Sequence, residues 1–143
     1  MAGAACGLAA IGLAALALRS PAEPDLARGA SLYAENCASC HGASLEGEPD
    51  WQEPNPDGTL RAPPHGDSGH TWHHSDRLLF DYVKLGGAET LARMGVGGVQ
   101  SAMPAFGDVL SDDDIRDVLA FIRSRWSPRM REYQEQMNAA DPD

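Results

Sequence analysis

Aromatic residues, lysine and cysteine are all scarce in this sequence, and each shortage excludes something. Phe, Trp and Tyr make up 6% of the 143 residues, against 15 glycines and 10 prolines. A chain of this length is one domain, and with so few large side chains its own core is modest and its loops are many. Of the three cysteines, Cys37 and Cys40 share one short motif and Cys6 stands alone in an apolar leader, so no pair remains for a structural disulfide. Lys84 is the single lysine, every other base is arginine, and the formal net charge is −10. Such acidity argues against nucleic acid as a partner, because that binding needs a basic surface. Two readings of the charge stay open. One is plain solubility; the other is attraction to a partner with a basic docking face, which raises encounter rate and fades with salt.

What the chain does hold is Cys37-Ala38-Ser39-Cys40-His41. A C-x-x-C-H run reads as the attachment site of a c-type haem. The two thiols add across the haem vinyl groups as thioethers, and two intervening residues set the sulfurs one helical turn apart. The adjacent imidazole then reaches the iron as proximal ligand. A closed zinc site would need four ligands, and Cys6 is far away. A thioredoxin-type pair would need a βαβ context, and no strand pattern surrounds this motif.

A second segment, Ser101-Ala102-Met103-Pro104-Ala105-Phe106-Gly107, offers a thioether. Methionine sulfur is a weak, soft ligand that, opposite a histidine, raises the reduction potential of haem iron. Pro104 would stiffen the backbone that presents it. Met103 as core filler is the plain alternative, and Met94, nine residues earlier, is the rival ligand.

The run Arg28-Gly29-Ala30-Ser31-Leu32-Tyr33-Ala34-Glu35-Asn36-Cys37-Ala38-Ser39-Cys40-His41-Gly42 resembles the start of a class I, single-haem cytochrome c. Met103-Pro104-Ala105-Phe106-Gly107, followed by a helix, resembles that family's second ligand segment and closing helix. The similarity covers about residues 24 to 126. It implies an all-α fold, with N- and C-terminal helices packed around a covalently attached haem and long loops. It implies one haem c held by Cys37 and Cys40, with His41 and Met103 as axial ligands. The function implied is one-electron transfer between membrane or periplasmic redox proteins, not catalysis, either as a free carrier or as a subunit of a larger respiratory complex. Haem attachment on the outer side of the membrane is implied too, hence an exported, periplasmic protein. In the resembled family a proline carbonyl supports the proximal histidine, which points to Pro63 or Pro64.

Residues 1–19 read as a signal peptide or an N-terminal membrane anchor, residues 20–126 as the cytochrome c domain and residues 127–143 as a polar tail. Residues 2–18 carry no charge, a run at the low edge of the ~20 apolar residues that a span needs. No basic stretch precedes that run, which is atypical for a signal peptide. Within it, Cys6 is an inert leader cysteine or a lipidation site. Asp25 is placed to cap a helix whose stripe is Leu26, Gly29, Ala30, Tyr33 and Cys37. Gly29 in mid-helix costs about 1 kcal/mol against alanine, which makes sense if another helix crosses closely there. The resemblance implies that the C-terminal helix is that partner. Ser75 or Asp76 caps a second helix with Leu78, Leu79, Tyr82, Val83 and Leu85 on its apolar face, stopped by Gly86-Gly87. Ser111 and Asp114 form a near capping box ahead of the stripe Ile115, Val118, Leu119, Ile122 and Trp126. Residues 129–138 are polar enough for a short exposed helix.

Residues 42–74 are irregular and hold five prolines. A loop this long inside a compact domain needs a reason, and wrapping a haem edge is one. Arg61 is placed either for a haem propionate or for solvent. His65, His70, His73 and His74 cluster here, and His70 and His74 have the i, i+4 spacing of a helical metal site. The cluster reads as a solvated or haem-packing loop, as a surface copper or zinc site, or as the source of a distal histidine ligand. A peroxidase or gas sensor with an open distal site is a further alternative and would require Met103 not to bind.

Overall fold

The computed structural model describes residues 23–141. The expected leader at residues 1–19, with Cys6, lies outside them. The expected all-α class holds. The chain runs α1 (Leu26–Asn36), α2 (Ala38–His41), β1 (Thr59–Leu60), a 3-10 turn (Thr71–His73), α3 (Asp76–Leu85), α4 (Gly87–Arg93), β2 (Gln100–Ser101), α5 (Asp112–Ser124) and α6 (Pro128–Ala140). The two short strands pair in parallel, Thr59 with Gln100 and Leu60 with Ser101. Among the described residues no helix is long and apolar enough to cross a membrane.

Capping residues set the helix starts. Asp25 accepts hydrogen bonds from the Ala27 and Arg28 N–H groups at the start of α1. Ser75 does the same for Leu78 in α3, and Ser111 with Asp114 forms a complete capping box on α5. These bonds satisfy donors that a helix N-terminus leaves without partners. The expected stripe of α1 faces inward from Gly29 and Tyr33, whereas Leu26 is exposed in the first turn.

Helices α1 and α5 cross at Gly29. A Cβ built there would stand 2.1 Å from the Asp117 carbonyl oxygen and 3.0 Å from the Phe121 Cβ. Only hydrogen fits, which is the reason for the mid-helix glycine. Asp117 is buried, and its carboxylate accepts from the Asp25 N–H at 2.8 Å. Arg28 pairs with Asp114 and reaches Asp117 at 3.7 Å. Among the described residues the core is two clusters. Tyr33, Leu45, Leu79, Val118, Ile122 and Trp126 form one, Val83, Leu110 and Ile115 the other, and Leu32 and Leu119 pack against both.

The C-terminal segment departs from its expected exposure. Helix α6 packs on the 3-10 turn, with Gln134 only 1% exposed and Met130 against the first cluster. Gln134 and Asn138 donate to the Asp76 carboxylate at 2.7 and 2.9 Å, and Asp141 accepts from the Ser75 hydroxyl and pairs with Arg77. One face of α6, through Gln134 and Asn138, and Asp141 just beyond it thus serve the start of α3, while Arg129, Glu132, Glu135 and Gln136 are exposed as expected.

Candidate haem site

Helix α1 breaks at Cys37, and the chain restarts as the single turn α2 that carries Cys40 and His41. The His41 N–H bonds back to the Cys37 carbonyl at 3.0 Å, so the motif is one closed helical turn. Both cysteines are free thiols; Cys37 is half-buried and Cys40 exposed. Burial, with Cys40 alongside, pushes the Cys37 thiol up to about 11.

His41 is buried, and its Nδ1 lies 2.8 Å from the Pro63 carbonyl oxygen. A carbonyl only accepts, so Nδ1 carries the proton and Nε2 is the nitrogen left for a metal. Burial pulls the His41 pKa below the ordinary imidazole value, with the Pro63 bond opposing. Of the two expected prolines, Pro63 is therefore the partner. Gly47 allows this approach. Its φ is +70°, and a Cβ there would stand 2.4 Å from the Pro64 nitrogen. Leu45 also sits at positive φ, 66°. That conformation is costly for a residue with a Cβ; its side chain is in the core and its carbonyl accepts from the His65 N–H at 2.9 Å.

The four clustered histidines disperse to three places. His65 stacks on His41, with ring centroids 4.0 Å apart and planes 22° from parallel. His70 stacks on Trp51 and meets His74 edge-on at 5.3 Å. His73 packs on Trp72 and Tyr133. The expected helix face for His70 and His74 is instead a 3-10 turn with His70 and His74 at its ends. Burial holds His65, His70 and His74 below the ordinary imidazole value, His65 most strongly. Among the described residues no three His, Cys, Asp or Glu side chains converge on a common metal position.

The two methionines differ in surroundings. Met94 ends α4 and is 51% exposed, whereas Met103 packs against the Val83–Leu110–Ile115 cluster. The Met103 carbonyl accepts from the Gly87 N–H at 3.1 Å, and its own N–H donates to the Ser101 hydroxyl at 3.2 Å. Two contacts not forecast complete the picture, one from Trp126 of the expected α5 stripe and one from Thr71. Trp126 donates its indole N–H to the His65 carbonyl at 2.7 Å, and Thr71 Oγ1 lies 2.8 Å from His65 Nδ1. The sequence singled out His65 only as one of the four clustered histidines, for which packing on the haem was one of the readings.

The side chains present suit a covalently held haem. Two free thiols stand one turn apart beside an imidazole whose Nδ1 is already engaged, leaving Nε2 free. Arg61 gives a separate observation. One guanidinium N–H donates to the Pro49 carbonyl at 2.8 Å, while its Nε is buried without a partner among the described residues. An orphaned buried donor on a cation is what a propionate would satisfy.

Helices crossing at a glycine, with a Cys-x-x-Cys-His turn closing the first of them, define a cytochrome c domain. Residues 24–122 match the family described as cytochrome C oxidase, cbb3-type, subunit III, and the chain belongs to that family, whose cytochrome c domain binds covalent haem c. No curated protein and no solved structure matches the chain.

Proposed function

We propose that this chain is a single-haem electron carrier in which Cys37 and Cys40 hold the haem and His41 and Met103 are the axial ligands. The observation that carries the reading is the Nδ1–Pro63 bond of a buried His41 directly after Cys40. It fixes the tautomer and anchors one edge of the ring. When bound, haem c supplies a one-electron ferric–ferrous couple, whose potential the protein sets through ligands and burial.

The residues divide the work. Pro63 holds the His41 proton and so keeps Nε2 available for iron. Gly86 and Gly87 support the Met103 segment: a Cβ on Gly86 would stand 2.8 Å from the Ala105 nitrogen, and Gly87 bonds the Met103 carbonyl. Arg61 offers its unpaired Nε to a propionate. The net charge of −10 supports docking to a basic face of a redox partner. Family membership supports an exported protein that works with, or within, a respiratory complex, and the apolar residues 2–18 support a leader or tether.

The test is the ferric absorption spectrum of the haem-loaded protein beside Met103→Ala and Met94→Ala. A weak long-wavelength charge-transfer band marks methionine sulfur on ferric haem. The expected result is that wild type shows the band and only Met103→Ala loses it. A high-spin wild type would move the reading to an open-site sensor or peroxidase. A low-spin wild type without the band would move the distal ligand to a histidine.

A further inference from the structure

We propose that His65 is a positioning residue for the haem ligand: its ring, stacked on His41, locks the plane of that imidazole and lowers the reduction potential. The proposal rests on His41 binding iron and does not depend on which residue binds opposite.

One hydrogen bond does not hold an imidazole plane. The Nδ1–Pro63 contact fixes one edge of His41 but leaves the ring free to rock about the N–H···O line. The second restraint is the face of His65, 4.0 Å away and near parallel. His65 is itself held on four sides. Its Nδ1 lies 2.8 Å from Oγ1 of the buried Thr71, and its N–H donates to the Leu45 carbonyl at 2.9 Å. Its carbonyl accepts from Trp126, and its ring edge packs on Tyr33 with centroids 6.1 Å apart. An apolar side chain would fill the same space without needing a polar partner. A largely buried imidazole costs free energy unless it is hydrogen-bonded, and here the structure supplies Thr71 for that purpose.

The electronic consequence follows from the stack. Ferric iron draws more electron density from its imidazole than ferrous iron does, so the electron-rich face of a neutral neighbouring ring stabilises the ferric state. Groups that orient and polarise a metal-bound histidine tune the metal in this way. Removing the ring should therefore raise the potential and loosen the His41 plane.

The experiment compares the haem-loaded full chain with His65→Leu, His65→Phe and Thr71→Val, by redox titration and by electron paramagnetic resonance of the ferric state. The g-values report the orientation of the axial imidazole, which a residue acting only on stability would not move. His65→Leu is expected to raise the midpoint potential and shift the g-values. His65→Phe keeps a flat ring and should stay near wild-type g-values, while Thr71→Val should move in the same direction as leucine, by less. The proposal is overturned if His65→Leu, low-spin and fully loaded, keeps the wild-type potential and g-values. It is also overturned if His65→Phe moves as far as His65→Leu. Should His65→Leu not retain haem, a Thr71→Val protein identical to wild type overturns it, and a displaced one beside an unmoved His65→Phe supports it. A wild type that is not low-spin would instead count against the ligation reading, so the two failures are separable.

Discussion

Trp126 donates its indole N–H to the carbonyl of His65 at 2.7 Å, across 61 residues of sequence. This bond ties the end of the α5 stripe to the loop that carries Pro63, and so ties helix packing to the orientation of His41. Trp126→Phe keeps an aromatic side chain but removes the donor and part of the indole's buried area. Leaving the part-buried acceptor unpaired alone costs about 1–3 kcal/mol. Denaturant unfolding of the haem-loaded protein should show a loss of that order, and an unchanged midpoint would assign the stability of this corner to apolar packing alone.

Gly29→Ala tests the helix crossing. The added methyl meets a backbone oxygen at 2.1 Å, and backbone cannot swing aside as a flexible side chain can. Overpacking of this kind costs about 1–3 kcal/mol, more than the roughly 1 kcal/mol that alanine returns in helix propensity. Thermal unfolding should therefore show a net loss. Gly97→Ala is the control, because a Cβ there meets nothing within 4 Å; it should lie within about 0.5 kcal/mol of wild type. Equal behaviour of the two variants would contradict the close crossing.

Asp114 carries a pH dependence of known sign. The Ser111 hydroxyl, and then Arg28, hold its carboxyl below the ordinary carboxylate value. A depressed carboxylate contributes stability that is fully present above the unfolded-state pKa, about 4. That stability is lost as pH falls through the folded value. Asp114→Asn should thus be less stable than wild type at neutral pH. The gap should close as pH drops below about 4 and vanish once the wild-type group is protonated. Urea midpoints across that range measure it; a gap that persists in acid would mean that the asparagine is simply a poorer cap.

How much of this was legible in the sequence depends on how far apart the interacting residues are. Asp25, Ser75 and Ser111 announced their helices because a cap acts on residues two or three positions away. The i, i+3, i+4 stripe of α5 announced its buried face for the same reason. Cys37, Cys40 and His41 were legible because their chemistry is contained in one helical turn.

Remote contacts were not legible in that way. The fate of α6 shows why: its polarity suggested solvent, but Asp76 and Ser75 sit where Gln134, Asn138 and Asp141 can use them. The four histidines between 65 and 74 looked like one cluster, yet a single 3-10 turn and the approach of Trp51, Trp72 and His41 send them to three places. By itself, then, the sequence determined the helices, their caps and the Cys-x-x-Cys-His turn, all governed by backbone geometry within a few residues. Only the tertiary structure decided that Pro63 and not Pro64 holds His41, that His65 stacks upon it, and that Met103 is packed while Met94 is exposed. Those outcomes depend on how distant segments pack against one another, which no local pattern encodes.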